Sequence, residues 1–112
     1  MEKIIIAPIT RYGRKADYRH FVAYIVRGDE LQLIAPFGGE ESAKEVGMKY
    51  NKSGKDLPAY TFHIHYTNWQ KRLTKALEFT LKAMGYYGDY EGYIVDGDMF
   101  SKSSILKIKI RN

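Results

Sequence analysis

The residues with the most chemistry in them lie in TFHIHYTNWQKRL, residues 61–73, where His63 and His65 stand two apart just ahead of a helical pattern. In an extended strand successive side chains alternate, so both imidazoles point to one side while Phe62, Ile64 and Tyr66 point to the other. Two histidines so placed are half of a metal site, but a catalytic zinc needs a third protein ligand and an open position. The sequence offers His20, Asp96 and Asp98, none at a diagnostic spacing, and Asp96-Gly97-Asp98 lacks the further acids of a calcium loop. With the apolar alternates facing a core, the two imidazoles belong to the wetter face of a sheet. Histidines there, beside Lys and Arg, bind phosphate or stack on a base.

Cations interleaved with aromatics surround this pair in the sequence. Arg11, Tyr12, Arg14, Lys15, Tyr18 and Arg19 fall in or beside one predicted loop, and Lys107, Lys109 and Arg111 line one side of a predicted strand. Lys71, Lys75 and Lys82 share a helix side at spacings of four and seven, with Glu78 among them. Lys and Arg hold phosphates, while Tyr, His and Arg planes stack on bases. The candidate ligand-binding set is therefore Arg11, Tyr12, Arg14, Lys15, Tyr18, Arg19, His63, His65, Lys107, Lys109 and Arg111. The competing explanation is a basic surface that only keeps the protein solvated.

Other motifs carry less. Gly38-Gly39 precedes a helical stretch, but neither GxxxxGK[ST] nor GxGxxG is present, and Glu40 and Glu41 occupy the position a phosphate would take. Arg27-Gly28-Asp29 and Asn51-Lys52-Ser53 read as turn chemistry. Ser101, Ser103 and Ser104 lack a nucleophile-elbow context. The absence of cysteine excludes disulfides, thiolate zinc sites and cysteine nucleophiles. Helix-turn-helix, RNP and KH signatures are missing. No catalytic residue, metal or cofactor is assigned.

The elements that must position these residues follow from periodicity. Strands are predicted at 3–9, 20–27, 30–35, 59–66, 91–95 and 105–111, with a tight turn at Arg27-Gly28-Asp29-Glu30 that uses a positive φ at Gly28. Residues 48–58 read as a polar loop, and a short helix is open near 40–46. The clearest element is a helix over about 68–84, with Trp69, Leu73, Ala76, Leu77, Thr80, Leu81 and Met84 on one stripe. Thr67 or Asn68 would cap it, Thr67 with Gln70 as a capping box, and Gly85 would stop it. Glu78 precedes Lys82 by four, the favourable order for a pair. The expected fold is α+β: one domain over residues 1–112, with an antiparallel sheet of five to six strands and the long helix packed on one face.

Composition bounds the function. The chain has 112 residues, 45% hydrophobic and 28% charged, an ordinary globular balance. No apolar run is long enough to span a membrane and the N-terminus lacks a signal-peptide pattern, so the expected location is the cytoplasm. The net charge of +5 is unevenly spread: residues 85–101 hold Asp89, Glu91, Asp96 and Asp98 without a base, and residues 102–112 hold only bases. That segregation suggests a field with two poles and an anionic partner. Small size, absence of cysteine, lack of catalytic motifs and polarised charge resemble the general run of phage or mobile-element accessory proteins.

The leading expectation is a non-catalytic protein that binds a phosphate-bearing ligand, either nucleic acid or a small nucleotide. One alternative is a protein-interaction module or inhibitor acting on an acidic or nucleic-acid-binding partner, anchored by Tyr86, Tyr87, Tyr90 and Tyr93. The other is a metal-dependent enzyme using His63 and His65. A homodimer through an exposed sheet face or edge is compatible with all three.

Overall fold

Strand alternation decides which face is buried. The computed structural model describes residues 2–9, 18–36, 39–53, 59–96 and 99–112, with the side chains of 39, 96 and 99–104 left aside. Its strands are β1 (Glu2–Pro8), β2 (Tyr18–Arg27), β3 (Glu30–Leu33), β4 (Met48–Tyr50), β5 (Tyr60–His65), β6 (Gly88–Asp96) and β7 (Met99–Ile110). The helices are α1 (Gly39–Glu45) and α2 (Trp69–Ala83). Ile4 and Ile6 of β1, Phe21, Ala23 and Ile25 of β2, Phe62 and Ile64 of β5, and Leu106, Ile108 and Ile110 of β7 all enter the core.

The seven strands form one sheet in the order β4-β5-β2-β1-β6-β7, with β3 also paired to β2. The ten-residue β2 takes β5 along its first half, Tyr18 to Phe21, and β3 along its second, Tyr24 to Arg27. The β2–β3 hairpin has the expected turn, with Gly28 at φ +59° and Arg27 opposite Glu30. The expected all-antiparallel sheet of five to six strands is corrected on two points. β4 lies in the segment read as a polar loop: Met48 pairs with Phe62 and is buried, a three-residue strand too short to show alternation. In addition β1 and β6 run parallel, Ile4 opposite Gly92 and Ile6 opposite Ile94.

The parallel pair follows from α2. β5 and β6 lie on either side of the β2–β1 pair, and parallel strands require a crossover that is usually helical. Fifteen residues of helix reach about 22 Å, enough to cross three strand spacings of roughly 4.8 Å each. Where β1 meets β6 the sheet is tight. A Cβ on Gly92 would sit 3.0 Å from Ile6 Cδ1 and 3.2 Å from Ile108 Cδ1, so the glycine makes room for two buried isoleucines.

Leu73, Leu77, Thr80 and Leu81 are the buried stripe of α2, and Trp69 stacks on Phe21 with centroids 5.4 Å apart. The helix ends as expected. Gly85 lies at φ +84°, its N–H donates to Lys82 O and the N–H of Tyr86 donates to Leu81 O, a Schellman stop. The start differs from expectation. Asn68 is left-handed (φ 52°, ψ 38°) and makes no side-chain cap, so the Thr67–Gln70 capping box is not formed. The short helix open near 40–46 is present as α1, with Glu40 and Glu41 in its first turn.

Candidate functional site

β2 and β5 build the site together. Their register sets Tyr18 opposite His65 and His20 opposite His63, on the sheet face away from the Phe21–Phe62 pair that meets α2. Neighbouring cross-strand side chains are close enough to touch, and here the rings do. Tyr18 lies 4.4 Å from His63 and 5.3 Å from His65 by centroid, and His20 stacks on His63 at 4.3 Å, 22° from parallel.

The three imidazoles are not equivalent. His20 is buried, and burial lowers its pKa, with Lys49 adding to the effect, so it is a neutral platform behind His63. His65 Nδ1 accepts the backbone N–H of Thr67 at 3.2 Å. A neutral ring accepting at Nδ1 carries its proton on Nε2, which makes that edge a donor. Residues 66–68 then turn the chain into α2, where Arg72 donates from Nε to Thr67 O at 2.8 Å. The guanidinium carries further N–H donors besides Nε.

Tyr18, His63, His65 and Arg72 line an open cleft of about 350 Å³. Its lining combines aromatic planes for stacking with donors for an anion. Arg72 escaped the sequence reading, although its signal was present: it sits inside the same thirteen-residue stretch as the histidines, on the polar side of the predicted helix.

The other candidates go elsewhere. Arg19 points to the helix face, its guanidinium 5.1 Å from the Trp69 ring centroid. Arg11, Tyr12, Arg14 and Lys15 lie outside the described residues. Lys107 and Lys109 are on β7 and Arg111 directly follows its last residue, four strand spacings from β5, or about 19 Å across the sheet. The two charge blocks of the sequence are neighbours, because β6 and β7 pair with Asp89 opposite Lys109 and Glu91 opposite Lys107. Lys107 reaches Glu91 at 3.5 Å and Arg111 reaches Asp89 at 2.6 Å. Glu91 also accepts the Tyr93 hydroxyl at 2.6 Å, and that bond, ahead of Lys107, holds its carboxyl below the usual range. Two of these three cations are thus matched to acids.

The tyrosines of 86–93 divide as well. Tyr90 is buried, Tyr86 lies under Arg27 and donates to Gln32, and Tyr87 is 46% exposed beside a cleft of about 340 Å³. Among the described residues no three His, Asp or Glu side chains come together as metal ligands, and Asp98 lies outside them. No helix among them is long and apolar enough to cross a membrane. Comparison with known protein families, with curated proteins and with solved structures finds no match to this chain.

Proposed function

We propose that the protein is a non-catalytic binder of a phosphate-bearing ligand, nucleic acid or nucleotide, and that Tyr18, His63, His65 and Arg72 hold it. The observation that carries this is their convergence on one open cleft from two adjacent strands and a helix start. A base or nucleotide ring stacks on Tyr18 and the exposed edge of the histidine pair. Arg72 takes the phosphate through charge-assisted hydrogen bonds, and the Nε2–H edge of His65 adds another donor. A ligand pocket of this kind falls at the lower end of the usual range of about 300–1,000 Å³, which suits one nucleotide unit at a time.

Titration of a fluorescently labelled nucleoside monophosphate at low salt tests the reading. Tyr18→Ala, His65→Ala and Arg72→Ala should each weaken binding by about five- to a hundredfold, the equivalent of roughly 1–3 kcal/mol for a stacking or charged contact. Tyr18→Phe, which keeps the ring, should bind like the parent. Equal affinity in all variants, or no binding of mononucleotide or oligonucleotide by the parent, would reject it.

A second reading rests on Tyr87, whose half-exposed ring beside the cleft with Glu2, Arg27 and Asp89 suits a protein partner's anchor pocket. It supports the protein-interaction alternative. Tyr87→Ala should then abolish capture of that partner and leave nucleotide affinity intact.

A further inference from the structure

A second cleft, of about 270 Å³, lies where α2 passes β7. Lys75, Phe79 and Lys82 come to it from the helix and Lys109 from the strand. Unlike Lys107 and Arg111, these three lysines make no ion pair among the described residues, and the Glu78–Lys82 pair expected from spacing is not formed. Phe79, in the same lining, is 60% exposed. A lysine-covered helix face by itself is ordinary solvation. Here cations from two separate elements line one cleft together with an exposed aromatic ring, and Glu78 is the one acid among the described residues of that lining.

The two clefts share a helix face. Arg72, Lys75, Phe79 and Lys82 follow one another at spacings of three, four and three, which places them on a single stripe of α2. Arg72 lines the histidine cleft and the other three line the second. From Arg72 to Lys82 is ten residues, or about 15 Å of helix. A mononucleotide does not reach across that length, whereas about four to five nucleotides do at roughly 3.4 Å per stacked step.

We infer that the ligand is a single-stranded nucleic acid several nucleotides long, which runs along the exposed stripe of α2 from the histidine cleft to a second binding site at Phe79. This rests on the proposed reading of the histidine cleft and deepens it. Lys75 and Lys82 bind phosphates and Phe79 stacks an unpaired base. A duplex keeps its bases inside and cannot use the ring.

The test uses labelled oligothymidylates of increasing length, beginning with the mononucleotide, over a salt series, against the parent, Tyr18→Ala, Phe79→Ala and the double variant Lys75→Gln/Lys82→Gln. Circular dichroism melts confirm that each variant folds. Expected is an octamer at least about tenfold tighter than the mononucleotide. Phe79→Ala and the double variant should lose that gain, with mononucleotide affinity unchanged. The double variant should also flatten the salt slope by about 1.4, two phosphate contacts at roughly 0.7 each. An octamer no tighter than the mononucleotide would overturn the second site while leaving the histidine cleft standing. Octamer binding that depends on Phe79 and the lysines but ignores Tyr18→Ala, with no mononucleotide bound, would overturn the cleft and leave the second site. Equal affinity for a duplex or an oligoglutamate of matching charge would overturn the single-strand assignment.

Discussion

His20 shows how one residue's environment becomes a property of the protein. Burial, reinforced by Lys49, holds its imidazole below the ordinary value of 6.5. As the pH falls, the unfolded chain takes up that proton first. The stability associated with the neutral ring is therefore complete above 6.5 and is lost as the pH drops towards the folded-state value. Urea midpoints measured at about pH 8 and about pH 5 should fall on acidification, and His20→Phe, which keeps a ring against His63 but has no proton site, should fall less. Identical falls would assign the acid sensitivity to other groups. The same residue was visible in the sequence only as a third ligand at no useful spacing. Its partnership with His63 depends on β2 and β5 being adjacent in register, which strand alternation alone does not reveal.

Helix α2 is the element that organises the site. Its apolar stripe was legible because burial repeats with the helical period, and its C-terminal stop because Gly85 adopts a left-handed turn without steric cost. Its start was not legible. Asn68 has a residue type suited both to side-chain capping and to left-handed backbone, and the choice was made by the tight exit from β5. The two roles respond oppositely to mutation. For a left-handed corner Asn68→Gly should be neutral to stabilising, by up to about 1 kcal/mol, and Asn68→Ala should cost about 1 kcal/mol. For a side-chain cap the glycine would instead lose a few tenths. Urea denaturation resolves the difference in sign between the glycine and alanine variants.

At the scale of the whole molecule, β1 is the strand on which both halves of the sheet depend, paired antiparallel to β2 and parallel to β6. Ile6 is fully buried there, while Leu31 on the short β3 is 58% exposed. Ile6→Ala should cost about 2–5 kcal/mol, a large part of the roughly 5–15 kcal/mol that holds a domain together. Leu31→Ala should stay within about 0.5 kcal/mol. Denaturant midpoints at constant slope check both, and a small loss at Ile6 would mean that β1 is not the central strand. Charge is also a matter of this scale. The acidic and basic blocks that looked like two poles in the sequence meet across the β6–β7 pair, where Lys107 pairs with Glu91 and Arg111 with Asp89, and the lysines lining the cleft at Phe79 are among the described lysines outside these pairs.

The sequence by itself determined the local terms: which stretches alternate and become strands, which face of α2 is apolar, where Gly28 and Gly85 turn the chain, and that His63 and His65 share a side. Each of these depends on residues within a few positions of one another. Only the tertiary structure decided what depends on contacts distant in the chain. The parallel β1–β6 pairing follows from the direction in which α2 carries the chain over the sheet. The meeting of Tyr18 with His63, His65 and Arg72, the turning of Arg19 to the opposite face, and the matching of Lys107 and Arg111 by β6 acids follow from register. A one-residue shift of any strand would reverse every such assignment while leaving its local pattern unchanged.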